Sequence, residues 1–90
     1  MGKEIVLFKS EERMDLQSVS AFLHQLADRL AENQLILRQG AEEVRLTIPD
    51  NVVIELKVEE EIKKSKTQRS LEVEIEWIEG DESGGVVTLS

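Results

Sequence analysis

The spacing of apolar residues changes period once along the chain, and that change restricts the fold more than any other feature. Leu16, Val19, Phe22, Leu23, Leu26, Ala27 and Leu30 recur at steps of three and four, with Gln17, Ser18, Gln25, Asp28, Arg29 and Glu32 on the other side. This is the pattern of one amphipathic helix. Asp15 stands where a side-chain N-cap belongs, and Met14 is placed to staple onto Val19. Beyond Asn33 the period falls to two. Val44, Leu46 and Ile48 form one inward series, Ile54, Leu56 and Val58 a second, and Leu71, Val73, Ile75 and Trp77 a third, each alternating with polar residues as half-buried strands do.

The expected fold class is therefore α+β, with the helix on one face of a mostly antiparallel five-stranded sheet in the order β-α-β-β-β-β. The first strand is predicted from Glu4 to Lys9, where Ile5, Val6, Leu7 and Phe8 form an unbroken apolar run. Leu35 to Arg38, Glu43 to Ile48, Val52 to about Glu59, and Leu71 to Trp77 supply the others. Gly40-Ala41 has the glycine-first pattern of a type II′ turn, and Pro49-Asp50-Asn51 makes a tight connection. Residues 63–69 read as a basic hairpin tip reaching beyond the core. The first strand is expected beside the fifth, the alternative being the second. Residues 1–79 are read as a single domain and 80–90 as a flexible tail.

These turns predict Arg38 opposite Glu43, Glu43 opposite Lys57, and Arg45 opposite Glu55. Choosing the last hairpin by charge puts Lys57 beside Glu74, Val58 against Val73, Leu56 against Ile75 and Ile54 against Trp77. Trp77 is then expected under the end of the helix near Leu26 or Leu30. The same register leaves Val53, Ile78 and Thr47 as an apolar patch on the sheet's outer face. Self-association or the tail residues Val86, Val87 and Leu89 would cover it.

Composition removes whole classes of chemistry. The 90 residues contain no cysteine, which excludes disulfides, thiolate metal sites and cysteine nucleophiles. A net charge of −8 disfavours nucleic acid and anionic membranes as partners and favours basic partners or cations. The apolar run near the start is too short for a signal peptide or a span, so a cytoplasmic location is expected. With 40% apolar residues, one core layer is within reach but no deep cofactor cavity, and any ligand would sit on a surface.

Three segments together resemble the amphi-Trp domain family of small prokaryotic proteins. They are Ala21 to Leu30, Leu37-Arg38-Gln39-Gly40 followed by Ile48-Pro49-Asp50, and the alternating strand Leu71 to Trp77. The resemblance spans roughly Ile5 to Ile78. Where family members tend to carry a proline after the tryptophan, this chain has Ile78. The resemblance implies a fold, and no particular activity, substrate or cofactor.

The candidate chemistry is sparse. His24, the one histidine, has no nucleophile or orienting carboxylate in a readable triad and is expected as a half-exposed helical residue. Glu55, Glu59, Glu72, Glu74 and Glu76 are too rigidly spread on strands to gather six oxygens around a hard cation. Lys63, Lys64, Lys66 and Arg69 form a basic tip that could touch a polyanion or simply keep a hairpin soluble. The expectation is a non-catalytic protein-interaction or self-association module, not an enzyme and without cofactor, using Val53, Ile78 and Thr47. The alternative is polyanion or nucleic-acid contact through residues 63–69.

Overall fold

The structure, a computed structural model, describes residues 2–80. It is α+β and divides into two compact units, Met1–Ile48 and Pro49–Ser90. The first holds helix α1 (Leu16–Ala31) and strands β1 (Gln34–Gln39) and β2 (Glu42–Thr47); the second holds β3 (Val53–Lys63) and β4 (Lys66–Glu76). The strands form two antiparallel two-stranded sheets, β1-β2 and β3-β4.

The helix begins as its cap dictates. Asp15 is extended, and its Oδ1 accepts a hydrogen bond from Ser18 N at 2.8 Å, satisfying one of the donors that a helix start leaves open. At the other end the chain has no glycine to take the left-handed position. Asn33 takes it, with φ 62°, as asparagine tolerates better than most residues. Its backbone N–H donates to Leu30 O at 3.0 Å and closes the helix.

That use of the N–H would leave a gap in the β1-β2 ladder, because Asn33 and Ile48 continue the register that pairs Gln34 with Thr47. The side chain fills the gap. Ile48 N donates to Asn33 O at 2.8 Å, and Asn33 Nδ2 donates to Ile48 O at 2.8 Å. The side-chain amide stands in for the backbone donor that turned toward the helix. Ile48 beside it is only 6% exposed, the one buried apolar residue among those described.

The remaining core of this unit follows the sequence pattern in part, since Leu16, Phe22, Leu23 and Ala27 of the helix's apolar stripe are exposed. Leu35 opposes Leu46 and Leu37 opposes Val44, and these four are half-buried together with Val19, Leu26 and Leu30 of the helix. Gly40 at φ 60° makes the two-residue turn with Ala41, so Arg38 falls opposite Glu43 as expected.

Three expectations are corrected. The segment from Glu4 to Lys9 is not a strand, so the five-stranded sheet and its leading β element are replaced by four strands in the order α-β-β-β-β. An apolar run signals a wish for burial; a strand also needs an edge to pair with, and Ile5, Val6 and Leu7 stay exposed. Secondly, β2 and β3 belong to different sheets, so the pairs Glu43–Lys57 and Arg45–Glu55 do not form. Both hairpins close locally through two-residue turns, the cheapest loops to close.

Thirdly, the last hairpin is shifted by two residues from the charge-based register. Lys63 opposes Lys66 across a turn at Lys64-Ser65, with Lys64 at φ 49°. Lys57 therefore faces Glu72 rather than Glu74, Val58 faces Leu71, Leu56 faces Val73, and Ile54 faces Ile75 rather than Trp77. A shift of two keeps every side chain on its face, so the apolar pattern could not distinguish the two registers. The tail residues 86–89 lie outside the described residues.

The dual role of Asn33 is open to test. Asn33→Gly keeps the backbone conformation and loses the ladder hydrogen bond, an expected cost of about 0.5–1.5 kcal/mol. Asn33→Ala should cost roughly 1 kcal/mol more, from the left-handed backbone. Asn33→Asp, which brings an acceptor against Ile48 O, should destabilise more than glycine does at neutral pH. Urea unfolding monitored by circular dichroism measures all three.

Candidate functional site

Strands β3 and β4 run side by side for eleven residues each, and their register sorts side chains onto two unlike faces. One carries Ile54, Leu56, Val58 and Ile62 against Ile75, Val73, Leu71 and Thr67, interrupted only by Glu60 opposite Arg69. Those two form an ion pair at 2.9 Å, so the charge on this face is internally matched. The other face carries Glu55, Glu59, Glu61, Glu72, Glu74 and Glu76, with Lys57 among them and Lys63 and Lys66 at the turn.

The apolar face is open. Apart from half-buried Ile75, exposure of its apolar residues runs from 57% at Val73 to 73% at Ile62, where the sequence pattern had implied a core. Within this unit the described elements are two strands and no helix, so the unit has no layer of its own to cover that face. Trp77, just past β4, is half-buried between exposed Glu76 and Ile78, in keeping with the inward phase of its series.

The acidic face is electrostatically strained. Glu55 lies directly opposite Glu74, and the negative charge of Glu76 and then that of Glu55 raise the Glu74 pKa above its ordinary value. Lys57 relieves part of this. Its Nζ lies 3.4 Å from Glu72 and 4.0 Å from Glu59, and the hydrogen bond to Glu72 is the largest cause of its raised pKa. Among the described residues no group of three or more acidic or histidine side chains is arranged to hold a metal ion.

Of the predicted site residues, the basic tip lies on one hairpin and the apolar patch is divided between the two units. Val53 opens β3 opposite Glu76, not Ile78, and Ile78 lies beyond the end of β4; both are exposed. Thr47 closes β2 opposite Gln34, in the other sheet. Of the basic tip, Arg69 is tied to Glu60 and Lys63 to Glu61 at 3.6 Å. Lys64 and Lys66 are its members without an ion pair among the described residues. His24 is exposed on α1 beside Leu16, Val19 and Leu23.

On the first unit, Glu43 accepts from two guanidiniums at once, Arg38 Nε at 2.9 Å and Arg45 Nε at 2.7 Å. The bond from Arg45, then that from Arg38, holds its carboxyl below the ordinary value of 4.5. The sequence reading paired Arg38 with Glu43 but gave Arg45 to Glu55. The nearer partner two residues along its own strand won.

Comparison with known proteins agrees with the resemblance carried by the helix and the last strand. The chain belongs to the Amphi-Trp domain family, whose family model matches residues 1–90. No curated protein and no solved structure matches it. No helix among the described residues is long and apolar enough to cross a membrane.

The two perturbed glutamates should respond to pH with opposite signs. Glu43, with its folded pKa lowered, contributes stability that is present above 4.5 and is lost as pH falls through the lowered value. Glu74, with its folded pKa raised, carries a penalty at neutral pH that is relieved as pH falls through the raised value. Glu43→Gln should therefore lower the urea midpoint at pH 7 and Glu74→Gln should raise it. Both differences should vanish in acid, where the carboxyls are neutral in folded and unfolded chains alike.

Proposed function

We propose that this chain is a non-catalytic association module, and that the apolar face of the β3-β4 hairpin is the surface with which it takes a second copy of itself. The observation that carries this reading is the exposure of Leu56, Val58, Leu71 and Val73 side by side on one face, with Ile62 beyond the Glu60–Arg69 pair. A two-stranded hairpin is marginal on its own and needs a further apolar layer, and an exposed contiguous apolar face is the usual mark of an interface.

Charge favours a second copy as that layer. Two chains of net charge −8 repel through their acidic faces. The apolar face, with its matched Glu60–Arg69 pair, is where like can meet like about a two-fold axis. A polyanion contact through residues 63–69 has weaker support, because Glu60 and Glu61 already engage Arg69 and Lys63.

Sedimentation equilibrium tests the reading. The wild type should show a concentration-dependent dimer. Val73→Lys should weaken it by roughly a hundred-fold, because an unpaired charge in an apolar contact costs several kcal/mol. Glu72→Gln, on the opposite face, should leave it intact. A wild type that stays monomeric, or a dimer indifferent to Val73→Lys, overturns the proposal.

A further inference from the structure

The first unit has an edge that the association reading does not use. In an antiparallel ladder, residues that exchange hydrogen bonds across the pair alternate with residues whose backbone groups point away. Asn33 and Ile48 exchange such bonds, so counting by twos along the register makes Leu35–Leu46, Leu37–Val44 and Gln39–Glu42 the bonded pairs. The backbone N–H and C=O of Gln34, Ile36 and Arg38 therefore point to the side of β1 away from β2, its only strand neighbour among the described residues.

These same three residues, with Arg29 and Glu32 from the end of α1, line an open hollow of about 400 Å³. Its walls carry two guanidiniums and one carboxylate, in a chain whose net charge is −8. Arg38 gives its Nε to Glu43, which leaves the two-nitrogen end of the guanidinium without a hydrogen bond among the described residues. That end is the edge that grips a carboxylate in bidentate fashion. Arg29 lies 3.7 Å from Glu32, too long for a strong hydrogen bond. Arg45 adds a third guanidinium beside Arg38, sharing Glu43, so three guanidiniums stand against two carboxylates. Ile36 between them is 44% exposed and offers an apolar seat.

We propose that the free edge of β1 binds an extended acidic peptide segment of a partner protein. The peptide main chain adds to the edge through the outward groups of Gln34, Ile36 and Arg38, as in β-strand addition. Its alternate side chains share the face of Arg38, and a carboxylate there is held by Arg38 and Arg29. This inference stands on the first unit and does not depend on the hairpin dimer.

The test is a titration of the isotope-labelled full chain, followed by amide shifts, with a capped five-residue peptide alternating threonine or valine with glutamate, at physiological salt. Shifts should concentrate at residues 34–38. Replacing the peptide's glutamates by glutamine should weaken binding by about ten-fold or more, the loss expected for a charge-assisted bond, and Arg38→Gln in the protein should do the same. Ile36→Pro, which removes an outward N–H together with the apolar seat and fixes φ, should abolish it. No shifts, shifts away from β1, or equal binding of the glutamine peptide overturns the proposal. Because the hairpin lies in the other unit, Val73→Lys should leave this titration unchanged; loss of binding in that variant also counts against it.

Discussion

Asn33 must end a helix and begin a strand within one residue, and the geometry of the first unit depends on how it does both. A helix that stops needs a donor for its last carbonyls, and a strand that starts needs a donor for its neighbour. One backbone N–H cannot serve two acceptors pointing in different directions. Asparagine resolves the conflict by carrying a second amide on a short stem, directed to Ile48 O while the backbone N–H goes to Leu30 O. Glycine supplies the left-handed backbone but no second donor, and aspartate supplies an acceptor in place of one. The position of Ile48 in the core, and the register of β1 against β2, follow from this junction.

What the sequence made legible was what local chemistry determines. The helix, its Asp15 cap and the Gly40 turn each rest on residues within a few positions of one another, and the structure has all three. The Lys64-Ser65 turn was not legible, because neither residue advertises a positive φ as glycine or asparagine would. Without it, the register of the long hairpin had to be chosen by charge. That criterion asked only for a carboxylate beside Lys57, and both registers supply one, Glu74 in the expected register and Glu72 in the observed one. Exposed charges contribute too little to fix a register against a two-residue turn, and the apolar pattern is the same in either one. The first predicted strand failed for a related reason: periodicity reports which residues want cover, and pairing requires a partner edge that no local signal names.

The candidate association surface was half legible in the same sense. The series Ile54, Leu56, Val58 and Leu71, Val73, Ile75 was read as a dry face, and the register keeps it a single face. Its exposure was not readable, because alternation says which side of a strand avoids water and is silent about what supplies the cover. The outward patch of Val53, Ile78 and Thr47 depended on a strand pairing between β2 and β3 and on the charge-based register. Once both changed, its members no longer belonged to one sheet.

Charge distribution then separates the two surfaces by the partner each can accept. Along β3 and β4 the carboxylates crowd one face, and exposed edges so flanked by charge are poor templates for further strands. The apolar face differs, because Glu60 and Arg69 neutralise each other there. At β1 the balance is reversed: guanidiniums outnumber carboxylates around an edge whose backbone groups point outward. An acidic strand that the hairpin would repel is the strand that this edge attracts. Screening over about 8 Å at physiological ionic strength lets so local a preference persist on a chain whose net charge is negative. The two units thus differ in the chemistry they offer, one an apolar face, the other a strand edge lined by guanidiniums.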